Sequence, residues 1–358
     1  MNNTRSSKQQ SAPNRPQSWK LLLRAVLAAL LVVFLVSAPP LLSRELARNP
    51  YREFLRGEED TPGFRGILTV WHVVAFKPAQ GSITTLLSGA GARYEAQHDG
   101  VYIEVTGMDA AAAGERIARG QRPDIWSVGY ASLGDYTFLP ITLDNPALRG
   151  GLSPYKVAGE VHALPYLYSG YFFIGNIALL QKLGLSFPNA AMIQAAQAQN
   201  AGELIAHVHA AAMSPAAAQH GALRAPARFA RAWGLGAVEE EAGDFKAGQV
   251  PFFIGDARAY GDLSRKLADG GFAFEAFPLG GETELVQYIA LDANMDEARY
   301  THAVGYIRSL FSGDLQARVV ALGAMPATVL PAPVPYSDAL LQAMQGVYEH
   351  PLLPQRTP

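Results

Sequence analysis

Ile67 to Val74 (ILTVWHVV) is a near-continuous run of β-branched and aromatic residues, the pattern of a strand buried on both faces. Ile83, Leu86, Leu87, Ala90 and Tyr94 then recur at helical spacing. Asp99-Gly100 marks a turn, after which Val101, Ile103 and Val105 alternate as a strand. Asp109 is placed to cap a second helix that runs through Ile117 and stops at Gly120. Pro123-Asp124-Ile125-Trp126 opens another short strand. Strand, helix, strand, helix, strand predicts a parallel α/β sheet.

The later half follows the same grammar. Leu164-Pro165-Tyr166 leads into an aromatic segment from Tyr168 to Ile174, then a helix over 178–183 that Gly184 ends. Strands are predicted at 250–254, 272–277 and 286–291, with a helix after the first of them running to Leu267. Tyr300, Ala303, Val304, Ile307, Leu310 and Phe311 line an amphipathic helix with Asp296 as its cap. Leu340, Leu341, Met344 and Val347 line the last helix. Residues 189–232 differ: alanine dominates, and Pro215, Gly221 and Pro226 break the stretch into short helical pieces.

The N-terminal pattern is of another kind. Residues 1–20 form a basic tail, its first 18 positions rich in Asn, Ser, Gln and Pro, with the composition of a disordered segment. Residues 21–42 are apolar apart from Arg24, Ser37 and two prolines, long enough for a helix crossing a bilayer core of about 30 Å. The positive N-terminal flank then puts the tail in the cytoplasm and the body outside. A cleaved signal peptide is the rival reading. Its best site, Val36-Ser37-Ala38, precedes Pro39-Pro40, a poor context for cleavage. An uncleaved anchor with a polar stalk over 43–65 is the favoured expectation.

Composition narrows the function. At 358 residues the chain exceeds the size at which one core usually stops growing, so two lobes are expected. There is no cysteine, which removes disulfides, thiolate metal sites, a cysteine nucleophile and a lipid-modified N-terminal cysteine. The net charge is −2, and the six basic residues up to Arg44 stand without an acidic one, so the rest carries −2 − 6 = −8. An acidic body argues against a nucleic-acid partner. Ser153-Pro154-Tyr155-Lys156 spells S-x-x-K but sits in a Gly/Pro loop with no K-T-G after it. His207 and His209, two apart, face different ways on a helix and make a poor metal pair. No H-E-x-x-H, P-loop or G-x-G-x-x-G occurs, so neither an enzyme nor a bound cofactor or metal is expected.

Several short motifs, in order, are similar to those of the extracellular solute-binding proteins of ABC transporters, the family that includes maltose-binding protein. Leu68 to His72 (LTVWH) resembles the family's opening strand. Tyr94 to Val101 resembles its helix-to-strand step "F-E-x-x-x-x-G-I-x-V", and Gly120 to Ile125 its "G-x-x-P-D-I/V". Leu164-Pro165-Tyr166 with Gly175 to Leu185 resembles "Y-N-K-D-L-F-x-K-A-G-L". Phe245 to Val250, Phe277 to Gly281, and the run through Phe311, Ser312, Gln316 and Gly323 to Ala327 resemble the family's C-terminal motifs. Gly175 stands where the family's tyrosine is usual, the glutamate before Gln316 is missing, and the segment between Leu185 and Phe245 is short.

The resemblance implies a two-lobed periplasmic-binding-protein-like α/β fold (type II), here behind an N-terminal transmembrane helix. Residues 66–165 and 278–312 would form lobe 1, and 166–277 and 313–358 lobe 2. It implies capture of a small polar solute, a carbohydrate above all, for ABC permease subunits. The alternative is a diverged binding-protein fold acting as a membrane-tethered sensor or scaffold. Residues implied to contact the solute are Trp71, His72, Trp126, Tyr130, Tyr166, Tyr168, Asp256, Arg258 and Tyr260, with Tyr171 at the lobe crossing. Each has a plainer reading, the aromatics as core and Arg258 as part of a solvated helix face.

Overall fold

The computed structural model describes residues 64–143, 146–213, 221–234, 243–268, 271–280, 282–330, 334–336, 338–349, 351 and 353. The basic tail, the apolar stretch over 21–42 and nearly all of the stalk lie outside these residues. Among the described residues no helix is long and apolar enough to cross a membrane.

The strands of the first half are β1 (Gly66–Val73), β2 (Val101–Met108), β3 (Ile125–Gly129), β4 (Phe138–Leu139), β5 (Tyr155–Val157) and β6 (Glu160–Tyr168). Helices α1 (Ile83–Glu95) and α2 (Ala110–Ala118) join the first three. Asp109 caps α2 by accepting from the Ala112 amide, and Gly120 follows the helix at φ +77°. The predicted parallel arrangement holds for β2, β1 and β3 only. Beyond β3 the sheet continues through β11 (Val286–Asp292), β6 and β12 (Met325–Pro326), all antiparallel to their neighbours. Strands that enter from the other lobe need no crossover helix, so their direction escapes the strand–helix–strand rule.

The second sheet is smaller and runs β10 (Phe274–Leu279), β7 (Tyr171–Asn176), β9 (Phe252–Asp256), β8 (Leu223–Arg224). Here β7 pairs antiparallel with both β10 and β9, and β8 lies parallel to β9. Its core centres on Phe173, whose ring lies 5.3 Å from Phe277 and 5.2 Å from Phe252. Between β7 and β9 come α3 (Ile177–Lys182), α4 (Ala190–Gln197), α5 (Gly202–Ala212), α6 (Ala227–Ala232) and α7 (Gly243–Lys246). The alanine-rich segment therefore does supply short helices. Then α8 (Ala257–Ala268) follows β9 directly.

The chain passes between the sheets at Ser169-Gly170 and again over 280–285. The two crossings are bonded to each other: the Ser169 amide donates to the Leu285 carbonyl at 2.8 Å, and the Thr283 hydroxyl to the Ser169 carbonyl at 2.8 Å. Tyr166 and Tyr168 thus belong to the first sheet, while Pro278 and Leu279 still belong to the second. After β11, α9 (Glu297–Leu310) and α10 (Gly313–Ala321) stay with the first lobe, α9 packing on α1 and β11 and α10 on α1 and β12, and Gln316 of α10 bonds the Tyr166 and Leu310 carbonyls at 3.0 and 2.8 Å. Only α11 (Ala339–Val347) returns, to pack on β10. These positions differ from the division read off the motifs because the crossing residues are as apolar as the strands they join.

Tyr348, just past α11, wedges into this junction. Its carbonyl accepts from the Tyr168 hydroxyl at 2.8 Å, and its own hydroxyl donates to the Leu279 carbonyl. A Cβ on Gly170 would come within 2.3 Å of its ring.

Behind the crossings, one face of the large sheet is apolar through Leu68, Val70, Ile125, Ile289 and Leu291. At its end that face turns polar: His72 on β1 lies opposite Ser127 on β3, and Gln287 on β11 and Tyr166 on β6 reach Ser127 by hydrogen bonds, forming one polar row. All four are buried. Burial lowers the His72 pKa from 6.5 to about 4 and raises that of the Tyr166 phenol.

Two predictions follow from this packing. Gly170→Ala should lower stability by about 1–3 kcal/mol through overpacking against Tyr348, read as a shifted denaturant midpoint at constant slope. Gly346→Ala, in α11 with nothing within 4 Å of its Cβ, should be neutral or stabilising by up to about 1 kcal/mol. The second concerns pH. The folded His72 takes its proton only near pH 4 and the unfolded one near 6.5, so the unfolded state binds more protons in between and stability falls as pH falls through that window. The loss should be on the order of 3 kcal/mol, and unfolding of His72→Gln between pH 7 and 4 should show a flatter slope. His302, also lowered by burial and by His98, contributes in the same direction and stays in the variant.

Candidate functional site

The ends of β1 and β3 open toward α8 of the second lobe. The loop from Val74 to Ser82 leaves β1, runs across this opening and enters α1. Gly129 lets it pass, since a Cβ there would meet the Ala75 side chain at 2.3 Å. At the loop's midpoint Ala79 is buried, its carbonyl accepting from Arg265 at 3.3 Å and lying where Gly261 has no side chain. Gly323, at φ +69°, makes room for it on the other side. This contact fills much of the space between the lobes.

A cavity of about 190 Å³ remains beside it. It is lined by His72, Val74, Phe76, Lys77, Pro78, Gly81, Ser82, Ile83 and Thr84 from the first lobe and by Arg258 from the second. It is roomy enough to hold several waters or a small solute. A larger depression of about 750 Å³ lies on the outer face of the first lobe, between the ends of α1 and α9 and the segment Thr328–Leu330. No residue of the second sheet lines it, so closure of the lobes cannot act on it, and the interlobe cavity is the better candidate site.

The nine residues expected to contact a solute fall into distinct places. His72 and Arg258 line the interlobe cavity. Tyr166 stands directly behind His72 in the polar row, its hydroxyl 2.9 Å from the Ser127 Oγ. Trp71 points to the opposite face of the sheet, edge-on to Trp126 at 5.5 Å and beneath the Arg116 guanidinium. Trp126 is fully buried, stacks on Tyr136 and donates its indole N–H to Asp292 at 2.8 Å. Tyr130 is half-buried with its ring 6.2 Å from Tyr288. Tyr168 is buried against Tyr348. Asp256 caps α8 by accepting from the Ala259 amide at 2.8 Å. Tyr260 stacks on Phe172 at 4.7 Å and bonds the Asp338 carboxylate at 3.0 Å.

Sequence reading passed over Lys77, Ser82, Ser127 and Gln287. Ser127 carried a usable signal, because it shares strand parity with Ile125 and so faces the apolar layer, where a hydroxyl needs a partner. Asp124 of the Pro-Asp motif is a brace: it accepts from the Thr69 amide at 2.8 Å and from Arg299 at 2.7 Å, tying β1, β3 and α9. His207 and His209 bond separate carbonyls, those of Ser186 and Trp233.

The four polar side chains form one hydrogen-bonded cluster. Gln287 Nε2 donates to Ser127 Oγ at 3.0 Å and to the Val73 carbonyl at 3.1 Å, and lies 3.4 Å from His72 Nδ1. Ser127 Oγ is 2.9 Å from the Tyr166 hydroxyl and 2.9 Å from His72 Nδ1. Nδ1 is thus engaged within the cluster, and Nε2 is the ring nitrogen left outside it.

No protein-family model and no curated protein matches the chain. Solved structures do. The acarbose-binding GacH receptor of Streptomyces glaucescens superposes with a TM-score of 0.55 at 13% identity, over 81% of this chain and 88% of that one. The sugar-binding protein MalE of Xanthomonas citri gives 0.53 at 16%, over 80% and 86%. The galacto-N-biose/lacto-N-biose I-binding protein of a Bifidobacterium longum ABC transporter gives 0.51 at 17%, over 81% and 86%. The two sheets, their paired crossings and the returning C-terminal helix are thus those of the two-lobed fold that maltose- and sugar-binding proteins of ABC transporters share.

Proposed function

We propose that this chain is an extracytoplasmic receptor that captures a small polar solute, of carbohydrate size and character, for an ABC-type importer. The observation that carries the reading is the interlobe cavity at the strand ends, where side chains of both lobes meet at one space. A solute there gains contacts with both lobes only when they are together, which is how ligand binding favours the closed arrangement. The sugar-binding proteins that share the fold support a solute of this class. The motif order read from the sequence supports the same receptor role, and binding without chemistry is the activity it requires.

The apolar stretch over 21–42, with basic residues before it, supports tethering to the cell membrane with the body outside. A second reading has its own observation. The 74–82 loop, with Ala79 set against Gly261 and Gly323, takes up room that a larger solute would need. A binding-protein fold so filled suits a membrane-tethered sensor or scaffold.

Two measurements decide. Thermal unfolding of the full-length chain against sugars, amino acids, polyamines and small anions should show one class raising the midpoint by several degrees, since ligand at 100 times its dissociation constant adds about 2.7 kcal/mol. A cooperatively unfolding chain that no solute stabilises favours the scaffold. Intact mass of the protein recovered from membranes should retain residues 1–38; a mature N-terminus at Pro39 would replace the anchor with a cleaved signal.

A further inference from the structure

The interlobe cavity has a chemical bias that the fold does not require. The charged side chains at its wall, Lys77 and Arg258, are both cationic, and its hydroxyls, on Ser82 and Thr84, can donate as well as accept. His72 lines the cavity and is 2% exposed; its Nδ1 is engaged by Ser127, which leaves Nε2 without a protein partner among the described residues. The Ser127–Gln287–Tyr166 row stands behind it. Lys77 brings an ammonium group with no ion-pair partner among the described residues. Arg258 faces in from α8; Asp262 engages its Nε at 3.2 Å, which leaves the two terminal nitrogens free to donate.

The floor is the start of α1, a helix of 13 residues. Ser82, at its N-cap, makes no side-chain capping bond, so the first-turn amides keep their donors and the positive end of the helix dipole faces the cavity. No carboxylate lines the space. Asp262 of α8 is engaged by Arg258 and Arg265, and Asp256, at the end of β9, accepts from the Ala259 amide. Phe76 supplies one apolar wall.

Resting on the receptor reading above, we infer that the solute is a small oxyanion-bearing molecule, a phosphorylated or acidic monosaccharide, held by Lys77, Arg258, the His72 imidazole and the N-terminus of α1. A neutral sugar would leave the two cationic side chains at the wall and the uncapped helix end without a counter-charge. An oxyanion pairs with all of them, and its ring lies on Phe76.

The test uses the full-length chain in mild detergent at fixed ionic strength, by calorimetry and thermal unfolding. The probes are inorganic phosphate, glucose 6-phosphate, glucuronate, glucose and maltose. Glucose 6-phosphate or glucuronate should bind at least tenfold more tightly than glucose. Lys77→Gln and Arg258→Gln should each weaken that binding about tenfold, the worth of a charge-assisted hydrogen bond, without moving the midpoint of the free protein by more than a degree or two. Binding by phosphate alone, lost in both variants, also supports the oxyanion site and separates the anionic group from the sugar ring. Glucose or maltose binding as tightly as the charged probes, or indifference to both substitutions, overturns the inference and leaves the receptor reading standing. A folded chain that binds none of the five overturns the inference, and stabilisation by no member of the wider panel would overturn the receptor reading with it.

Discussion

The two strand crossings are bonded side by side, and the rest of the architecture depends on that. Where strands of the two sheets are joined directly, at 168–171 and 279–286, the linking backbone groups belong to neither sheet, and buried backbone groups need partners. Ser169, Thr283 and Leu285 supply them to each other. The lobes are thereby held together at the pair. Tyr348 closes the junction from the C-terminal side, joined to the end of β6 by one bond and to the end of β10 by the other.

From that junction the polar row follows naturally. Strands β6, β11, β3 and β1 all present their ends at the same level, so one layer of side chains stands between the apolar core and the cleft. A fully apolar layer would pack well but offer nothing to a solute. The row of Tyr166, Gln287, Ser127 and His72 instead carries a hydrogen-bonded cluster to the wall of the cavity. Burial holds the imidazole neutral and the phenol protonated at ordinary pH. Gln287 Oε1 is left buried without a protein partner among the described residues, so the row carries an unmet acceptor.

The loop from Val74 to Ser82 sets the size of the site. Three glycines, at 129, 261 and 323, are used to seat it. Such close backbone approach leaves little slack, and the remaining cavity is small.

Much of this was legible in order of residues alone. The alternation and helical spacing located β1, β2, β3, α1, α2 and α9 to within a few residues, and Asp109, Asp296 and Gly120 marked their ends, because capping and periodicity are local physics. Two lobes followed from length, and the order of motifs pointed to the solute-binding fold. The direction of β11 and β6, and the bonding of the two crossings, needed contacts between residues more than 100 positions apart, which no local pattern encodes. The candidate site divides the same way. His72 and Arg258 were visible as polar residues near strand ends, whereas Trp71, Trp126, Tyr168 and Tyr260 looked equally suitable and are packed inside. A strand aromatic reads the same in sequence whether it faces a cleft or a core. Only tertiary structure decided which face of each strand met α8, and so which side chains reach the space between the lobes.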